Sequence, residues 1–509
     1  MAPGFTPGEL RYNINQSGAI ALLHSTKYEK NASEILKEGL DNPPVRMTVE
    51  KTLESSRDGQ ESVEFVGEAD TAEGGMMLYT SGTTARPKGV LLPQKVLVAQ
   101  AKSLLQAWEY TPRDRLLHVL PLHHIHGTVN ALLTPILAGS SIEFMFPFNV
   151  DAVWNRFAAP FLNSDKPPVT FFTVVPTIWA RMLQSHPDLP AGVQKAADQA
   201  IKRENLRLNI SGSAALPTPT KKAWTDLSAG NVLLERYGMT EVGMALSCGL
   251  DDSDRIDGSV GWPLPSVQGR LIDTDTNEDI TDSHSSGGKE RSGEIQLKGP
   301  TIFTEYWNNA EATQKQFTED GWFKTGDIAI RREVNGSGLG KSGDWAKGPA
   351  WFIQGRKSAD IIKTGGEKVS ALEIERELLS LPEVKECAVV GLPSVAWGQK
   401  AAAVIVLTEK GKTAGKGGKQ WSALDMRRAL HGKLVAYKIP QDMKIVEELP
   451  RNAMGKINKK ELVPKVFGDL ERIRRRSIAV AEERMAAKAA LKAAEDQAKE
   501  GAPQANGTK

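Results

Sequence analysis

Cysteine is nearly absent from this sequence, since 509 residues include only Cys248 and Cys387. The two cysteines lie far apart and neither belongs to a CxxC pair. This spacing disfavours a disulfide framework and a cysteine-based zinc site. It favours a reducing, intracellular compartment.

Long apolar runs are also missing. The longest candidates, residues 169–175 and 401–407, are far shorter than the roughly 20 residues that a spanning helix needs, and suit buried strands. The first twelve residues lack the apolar core of a signal peptide and the Arg-rich pattern of a transit peptide. The final NGTK is no peroxisomal or retention signal. We expect an intracellular soluble protein with no membrane span.

A net charge of one sign is the third absence. Sixty-four Lys and Arg residues face 62 Asp and Glu residues, for a formal charge of +2. No global field therefore points to nucleic acid, and anionic ligands need local sites. The length exceeds what one hydrophobic core supports, so two or more domains are expected. The oligomeric state stays open.

Short apolar runs alternate with longer amphipathic segments between residues 76 and 327. Examples are MMLYT at 76–80 and TFFTVVP at 170–176. This alternation is typical of an α/β domain with a mostly parallel sheet.

The composition changes after this region. The polar, Gly-rich residues 333–350 predict a surface loop, and residues 356–465 predict a small α+β domain. Residues 466–509 are rich in Ala, Arg, Lys and Glu, which predicts an exposed, partly helical or disordered tail.

The densest group of potential ligand donors lies in YTSGTTARPKG at residues 79–89. Glycines let backbone N–H groups converge, hydroxyls donate to oxyanions, and a lysine adds positive charge. The spacing is not that of a Walker A loop. We predict a polyphosphate-binding strand–turn–strand; the alternative is an ordinary polar hairpin. Its candidate ligand residues are Thr80, Ser81, Gly82, Thr83, Thr84 and Lys88.

This segment resembles the phosphate loop, [ST]SG[ST]T-x-x-PKG, of the AMP-forming acyl-CoA synthetases, a family of adenylate-forming enzymes. The resemblance implies ATP, Mg²⁺ and, as a substrate, coenzyme A, with a small carboxylic acid as partner. It implies a large N-terminal domain of mostly parallel βα layers, residues 1–355, and a small mobile α+β domain, residues 356–465. The family has a further α/β layer before the segment that begins here, so we expect the large domain to be incomplete at its start.

Later segments match the family in order. LPLHHIHG at residues 120–127 resembles the wall of the acyl pocket, where His124 would lie near the reacting carboxylate. A structural role for His123 and His126 is at least as well supported as a functional one. No nearby carboxylate or cysteine completes a zinc site.

The resemblance places the nucleotide on GSAA at 212–215 and ERYGMTE at 235–241. Tyr237 would contact adenine, Thr240 the α-phosphate and Glu241 the Mg²⁺ ion, a metal that prefers hard carboxylate oxygens shared with phosphate. The other implied nucleotide-binding residues of these segments are Gly212, Ser213, Ala214, Arg236 and Gly238.

Three further segments complete the resemblance. Asp327 and Arg356 would contact the ribose, and Gly365 and Gly366 would approach the thioester centre. The hinge between the domains would lie within residues 358–360. Lys456, in PRNAMGK, would be the catalytic lysine that bridges the acid and the α-phosphate, where a mobile ammonium stabilises the charge of the transition state.

The residues around 233–268 resemble the malonyl-CoA synthetase branch of the family. A dicarboxylate needs a cation for its non-reacting carboxylate, and a guanidinium binds carboxylate in a bidentate way. Arg255, with help from Arg236, would serve malonate and, less readily, methylmalonate. The alternative is a surface Arg255 paired with one of its neighbouring aspartates. The branch also implies a mitochondrial location; without it, a cytoplasmic one is expected.

Three other functions stay open: a ligase for medium-chain or aryl acids, a peptide-synthetase adenylation domain, and a catalytically impaired homologue. No carrier motif follows Lys456, which disfavours a fused carrier. Thioester formation with malonate would distinguish the hypotheses of an active enzyme from that of a catalytically impaired homologue.

Overall fold

The computed structural model describes residues 5–37, 39–50, 74–80, 87–162, 164–282, 290–395, 397–451 and 457–468. The predicted tail lies outside the described residues from residue 469 onward. The chain forms two compact units, Met1–Ile353 and Gln354–Lys509. Each is described by itself below.

The large unit contains these helices: α1 Pro7–Ser17, α2 Glu29–Leu36, α3 Gln94–Trp108, α4 Thr134–Ala138, α5 Val150–Ala158, α6 Pro176–Ser185, α7 Ala191–Ala200, α8 Thr218–Leu227 and α9 Ala310–Gln316. Its strands are β1 Ala21–Ser25, β2 Val45–Val49, β3 Gly75–Thr80, β4 Lys88–Pro93, β5 Arg115–His118, β6 Ser141–Phe144, β7 Phe171–Val174, β8 Leu208–Ser211, β9 Leu234–Met239, β10 Gly243–Ser247, β11 Trp262–Pro263, β12 Gln268–Ile272, β13 Gly293–Lys298, β14 Glu305–Tyr306, β15 Phe323–Arg332 and β16 Ala350–Arg356, which runs on past the end of the unit.

A seven-stranded sheet in the order β11-β10-β9-β8-β7-β5-β6 forms the centre of this unit. The pairs from β6 to β9 are parallel, and the two pairs beyond β9 are antiparallel. All four residues of β7 and of β8 are buried, as expected where helices cover both faces of a parallel sheet. The predicted α/β class is therefore confirmed.

Two smaller sheets complete the large unit beside a β1–β2 pair, in the orders β14-β4-β3 and β12-β13-β15-β16. Strands β3 and β4 form an antiparallel hairpin in which Thr80 pairs with Lys88. Helix α3 follows β4 directly and buries Leu104 and Trp108 in the main core.

The small unit is an α+β fold with helices α10 Ala371–Leu379, α11 Ala423–Leu430 and α12 Lys459–Phe467 and strands β17 Ile361–Thr364, β18 Glu367–Ser370, β19 Val384–Ser394, β20 Gly398–Leu407 and β21 Asp442–Ile445. The sheet order is β18-β17-β20-β19, with β21 parallel to β20. Seven consecutive residues of β20 are buried, because α10 and α11 pack on one face of the sheet and α12 on the other. A large α/β domain followed by a smaller α+β domain is thereby confirmed.

The Gly-rich residues 333–350 differ in part from the predicted surface loop. Ala346 and Ala350 are almost fully buried, and the indole of Trp345 packs against the core. Ser342 Oγ donates to Asp254 Oδ2 at 2.6 Å, and the Gly338 N–H donates to Asp254 Oδ1 at 3.0 Å. Composition alone did not indicate these anchors.

Among the described helices, none combines the length and apolarity needed to cross a bilayer.

Candidate active site

The predicted functional segments converge at the carboxyl ends of neighbouring parallel strands. Residues 120–127 follow β5, residues 212–214 follow β8, and Tyr237 lies on β9. Parallel α/β sheets bind ligands at this edge, because the connecting loops meet there. The fold therefore brings these distant segments to one place.

The described stems of the candidate phosphate loop are held by α1. Tyr79 Oη donates to the Asn13 carbonyl at 3.0 Å, at the end of β3. Tyr12 Oη donates to the Pro87 carbonyl at 3.0 Å, just before β4. Both sides of the loop are thus tied to one helix. The remaining predicted loop residues, Ser81, Gly82, Thr83 and Thr84, lie outside the described residues.

Lys88 and Glu241 meet at the ring of Tyr306. The Lys88 ammonium lies 4.5 Å from the ring centroid, a cation–π contact. Tyr306 Oη donates to Glu241 Oε1 at 2.9 Å. Tyr306 belongs to β14, which pairs with β4. The predicted phosphate lysine and the predicted metal ligand therefore share a tyrosine that sequence reasoning did not single out.

The candidate Mg²⁺ site rests on one carboxylate. The described residues contain no group of three or more Asp, Glu, His or Cys side chains suited to a metal. Mg²⁺ commonly takes one or two carboxylates and completes its shell with phosphate oxygens and water. Glu241 fits that pattern as a single carboxylate that is half-buried, with Tyr306 donating to one of its two oxygens.

Tyr237 and Asp327, which the sequence predicts to contact adenine and ribose, lie next to each other. Tyr237 Oη donates to Asp327 Oδ2 at 2.6 Å. Asp327 is 5% exposed, and its backbone N–H donates to Thr325 Oγ1 at 3.1 Å. The two residues predicted to hold adenine and ribose are therefore in direct contact.

Arg236 lies against the small residues after β8. A Cβ at Gly212 would sit 2.4 Å from Arg236 Nε, so only glycine leaves room for the guanidinium. Arg236 Nη2 is 3.4 Å from Ser213 Oγ. Ser213 has a φ of 69°, which is unusual for a residue with a side chain. Such strain is common at functional sites.

Arg236 is 4% exposed, and burial lowers its pKa to about 9. Its Nε is buried without a hydrogen-bond partner. Within the described residues, no carboxylate forms an ion pair with it. A buried cation of this kind is unfavourable unless an anion accompanies it.

A buried chain of polar side chains leads to Arg236. Tyr110 Oη donates to Asn130 Oδ1 at 2.7 Å, and Asn130 Nδ2 donates to Thr173 Oγ1 at 3.0 Å. His126 Nε2 lies 2.7 Å from Thr173 Oγ1, and His126 Nδ1 lies 3.4 Å from Ser213 Oγ. Burial first, and then the charge of Arg236, hold the pKa of His126 well below its usual value.

This network distinguishes the three histidines of residues 120–127. His124, the predicted pocket residue, is half-buried, and its ring lies 4.2 Å from that of His123. His126, which sequence reasoning left undecided, is the histidine beside Ser213. It opens a π-helical turn, His126–Leu133, a conformation often found at functional sites. The available sequence signal was only the HxHG spacing.

Arg255 has a different environment. Arg255 Nη1 donates to the Val232 carbonyl at 2.6 Å and to Asn209 Oδ1 at 3.2 Å, and Nη2 donates to the Leu250 carbonyl at 3.2 Å. The side chain is buried, so the surface ion pair considered from sequence does not describe it, although Asp252 approaches Nε at 3.9 Å. Its role toward a substrate stays a prediction.

A buried ion pair stabilises the strand that carries Arg236. Lys221 Nζ donates to Glu235 Oε1 at 2.9 Å, and the Gly258 N–H donates to the same oxygen at 3.1 Å. Glu235 precedes Arg236 on β9, so this pair fixes the strand that carries Arg236, Tyr237 and Gly238. The turn after the strand carries Thr240, which is half-buried.

Most of the remaining predicted residues belong to the small unit. The Arg356 N–H donates to Asp360 Oδ2 at 2.9 Å. Gly365 and Gly366 have φ angles of 57° and 86°, in the turn between β17 and β18. Ala214 in the large unit is exposed. Lys456 lies outside the described residues.

A family model for AMP-binding enzymes matches residues 1–307. The chain belongs to the AMP-binding enzyme family. A second model, for the C-terminal domain of AMP-binding enzymes, matches residues 373–456. The family membership predicted from the phosphate-loop motif is confirmed.

Similar proteins of known name indicate which branch of the family this chain resembles. A CoA ligase of Gibberella moniliformis is 63% identical over 94% of this chain and 82% of its own length. The mitochondrial malonate–CoA ligase of Mus musculus is 42% identical over 77% of this chain and 65% of its own length. The chain thus spans just under two thirds of that relative.

A solved structure shows the same fold with nucleotide bound. The ATP-bound MatB of Rhodopseudomonas palustris superposes with a TM-score of 0.72 at 29% identity, over 92% of this chain and 83% of that one. These relatives bear out the expectation of an AMP-forming acid–CoA ligase of the malonyl-CoA synthetase branch.

Proposed function

We propose that this chain is an AMP-forming malonate–CoA ligase. In the first half-reaction, a carboxylate oxygen of the acid attacks the α-phosphorus of ATP, and pyrophosphate leaves. In the second, the thiol of coenzyme A attacks the acyl carbon, and AMP and a proton leave. The family membership and the malonate–CoA ligase named among the relatives support the reaction.

We assign the preference for a dicarboxylate substrate to the buried guanidinium of Arg236. Arg236 lies beside residues 212–214, where the family resemblance places the nucleotide to which the acid becomes joined. A monocarboxylate presents only its reacting group, which becomes joined to AMP as a mixed anhydride. Malonate presents a second carboxylate, which would supply the anion that Arg236 lacks among the described residues. Charge-assisted pairing of this kind strongly favours a guanidinium over an ammonium.

Arg236 is better placed for this role than Arg255. The Arg255 guanidinium already donates to two carbonyl oxygens and one amide oxygen. The Nε atoms of both arginines are buried without a hydrogen-bond partner, but the only side-chain contact of the Arg236 guanidinium among the described hydrogen bonds is the 3.4 Å one to Ser213 Oγ. We therefore assign the second carboxylate to Arg236 and a structural role to Arg255.

The other residues divide the chemistry. Lys88 and the loop of residues 80–84 would neutralise the phosphates, and Tyr237 and Asp327 would hold adenine and ribose. Glu241 would hold Mg²⁺, which supplies Lewis-acid neutralisation of phosphate charge when bound. His126, kept neutral by burial, would present a dipole to the acid without adding a second cation beside Arg236. Lys456 would bridge the acid and the α-phosphate during adenylation.

The decisive experiment compares acids and arginines. Purified chain is assayed for pyrophosphate release and thioester formation with malonate, methylmalonate, butyrate and benzoate. We expect malonate to be preferred, then methylmalonate. Arg236→Met should raise the malonate KM by ten- to a hundredfold, equivalent to about 1.5–3 kcal/mol for a hydrogen bond to a charged group, while sparing butyrate. Arg255→Met should lower the melting temperature and affect both acids alike.

The exposed Arg203→Met is the matched control and should behave as wild type, because its partner Asp252 is a surface residue. A malonate-selective loss in Arg255→Met, with Arg236→Met neutral, would reverse the two assignments. Preference for butyrate or benzoate in the wild type would favour the medium-chain or aryl ligase. Absence of adenylation with every acid would favour the impaired homologue.

The mitochondrial location of the mouse relative leads us to propose the same compartment for this chain. Fractionation of its source cells, followed by detection of the native protein, tests this. Recovery in the cytosolic fraction alone would reject it.

A further inference from the structure

Three buried charges meet at the start of α12 in the small unit. Lys459 Nζ lies 2.5 Å from Asp360 Oδ1 and 2.6 Å from Glu375 Oε1. The three side chains are only 11–15% exposed. One ammonium therefore serves two carboxylates away from bulk water, where charged hydrogen bonds are strong and an unpaired charge is costly. We call this group the Lys459 triad.

Each carboxylate of the Lys459 triad is tied to another part of the unit. Asp360 Oδ2 accepts the Arg356 N–H at 2.9 Å, which closes the turn at the predicted hinge. Glu375 Oε1 accepts the Val389 N–H at 2.7 Å, which joins α10 to β19. The triad thus connects the hinge turn, the sheet and the first residue of α12.

Asp360 packs closely against Gly355 in the hinge turn. A Cβ at Gly355 would lie 2.4 Å from Asp360 Cβ, and Gly355 has a φ of 117°. Ala371, the first residue of α10, donates its N–H to the Asp360 carbonyl at 2.8 Å. Asp360 is therefore fixed through its backbone and both carboxylate oxygens.

Lys459 lies three residues after Lys456 in the sequence. Three residues of fully extended chain span at most about 10 Å. Ile457 and Asn458, the two intervening residues, belong to the described part of the chain, and chain connectivity alone limits how far Lys456 can lie from Lys459. A catalytic ammonium accelerates the reaction most when the backbone that carries it is held near the productive position, since misplacement by about 1 Å can lower the rate a hundredfold.

We propose that Lys459 is a positioning residue for adenylation, which through Asp360 and Glu375 anchors the attachment point of Lys456 to the turn that carries Arg356. This inference rests on the proposed function only for the role of Lys456. In the second half-reaction the lysine is not needed, so the anchor should matter little there. A purely structural triad would affect both half-reactions equally.

The kinetic test separates the half-reactions. Pyrophosphate exchange, with the acid that drives it best in the wild type, reports adenylation. AMP release from chemically prepared acyl-adenylate and coenzyme A reports thioester formation. For Lys459→Met we expect exchange kcat to fall at least tenfold with the ATP KM within about twofold, and thioester formation to stay within about threefold.

Two further variants complete this comparison. Lys459→Arg keeps the charge and should restore at least a third of the wild-type exchange rate. Lys460→Met is the matched control, because Lys460 is its exposed neighbour, and it should leave both half-reactions unchanged.

Lys459→Met leaves two buried carboxylates without a counter-ion, so a fold defect must be separated from lost positioning. The triple variant Lys459→Met, Asp360→Asn, Glu375→Gln removes all three charges at nearly constant volume, so no buried carboxylate is left without its counter-ion. We expect it to keep the wild-type melting temperature and still lose exchange. Recovery of exchange in the triple variant would show that only stability was at stake and would overturn the proposal.

A measurement of proteolysis, made without substrate, tests the proposal independently of which acid the enzyme uses. Cleavage by a lysine-specific protease after Lys456 is followed by mass spectrometry in the full chain. A released attachment point predicts faster cleavage in the triple variant than in Lys460→Met. Equal cleavage rates, or an equal loss in both half-reactions, would reject the anchor. Absence of exchange in the wild type with every acid would instead reject the proposed function.

Discussion

Tyr237 Oη donates a hydrogen bond of 2.6 Å to Asp327 Oδ2, although 90 residues separate them. Tyr237 lies on the central sheet and Asp327 on β15 of a different sheet. The bond therefore joins two layers of the large unit. It orients a carboxylate that the proposed mechanism uses for the ribose.

Tyr237→Phe keeps the aromatic ring and removes the donor. Loss of a hydrogen bond to a charged acceptor is worth about 1.5–3 kcal/mol, so the ATP KM in pyrophosphate exchange should rise at least tenfold. The malonate KM should change less than threefold. The exposed Tyr437→Phe is the control. An unchanged ATP KM in Tyr237→Phe would show that Asp327 is oriented without this bond.

Gly212→Ala should disturb acid recognition through Arg236. The new Cβ would lie 2.4 Å from Nε and 2.5 Å from Cζ, so the guanidinium has to move. We expect the malonate KM to rise about tenfold, roughly the effect of one weakened hydrogen bond, with less effect on butyrate. Gly192→Ala is the control, because a Cβ at Gly192 would meet nothing within 4 Å. Equal effects on both acids would argue against Arg236 as the carboxylate anchor.

Gln16 connects α1 to the end of β3 and to the residue that follows β14. Tyr79 Oη donates to Gln16 Oε1 at 2.5 Å, and Gln16 Nε2 donates to the Trp307 carbonyl at 2.6 Å. Gln16→Ala leaves both partners without this amide, at about 1–3 kcal/mol of stability. We expect a lower melting temperature that excess ATP partly restores. Gln106→Ala, on the exposed side of α3, should not change it. A wild-type melting curve for Gln16→Ala would contradict the expectation.

His126 should make stability fall on acidification. Its pKa is well below 6.5 in the folded chain, because burial and Arg236 disfavour the imidazolium. The unfolded chain binds that proton near pH 6.5, so the unfolded state carries more protons below this pH. The free energy of unfolding should then decrease as the pH falls from 7 to 5, by up to about 1.4 kcal/mol per unit.

His118 and His123 also have lowered pKa values, chiefly through burial, so the wild-type slope is a sum. His126→Gln keeps a polar group and removes the titration, and the difference between the two slopes isolates His126. Denaturant titrations at pH 5, 6 and 7 provide the slopes. Parallel slopes would mean that His126 is protonated in the folded chain.

The sequence alone was enough for the class of protein. Each family motif is a short contiguous segment: the phosphate loop with its hydroxyls, the YGMTE segment, and PRNAMGK with its lysine. The chemistry of each motif can therefore be predicted without knowledge of the fold. The alternation of apolar runs likewise predicted the parallel sheet, because burial on both faces requires continuous apolar strands.

Other contacts join residues far apart in sequence, and no local pattern indicates them. Arg255 donates to two backbone carbonyls and one side-chain amide oxygen, whereas Arg236 has, among the described residues, only a long contact to Ser213 Oγ; this difference depends on which carbonyls face each guanidinium. Tyr306 between Lys88 and Glu241, and Lys459 between Asp360 and Glu375, arise in the same way. The sequence thus determined the family, the order of its motifs and the kind of reaction, because these reside in short contiguous segments. Only the tertiary structure decided which charges are buried and what each one meets, since burial and pairing depend on strands and helices brought together from across each unit.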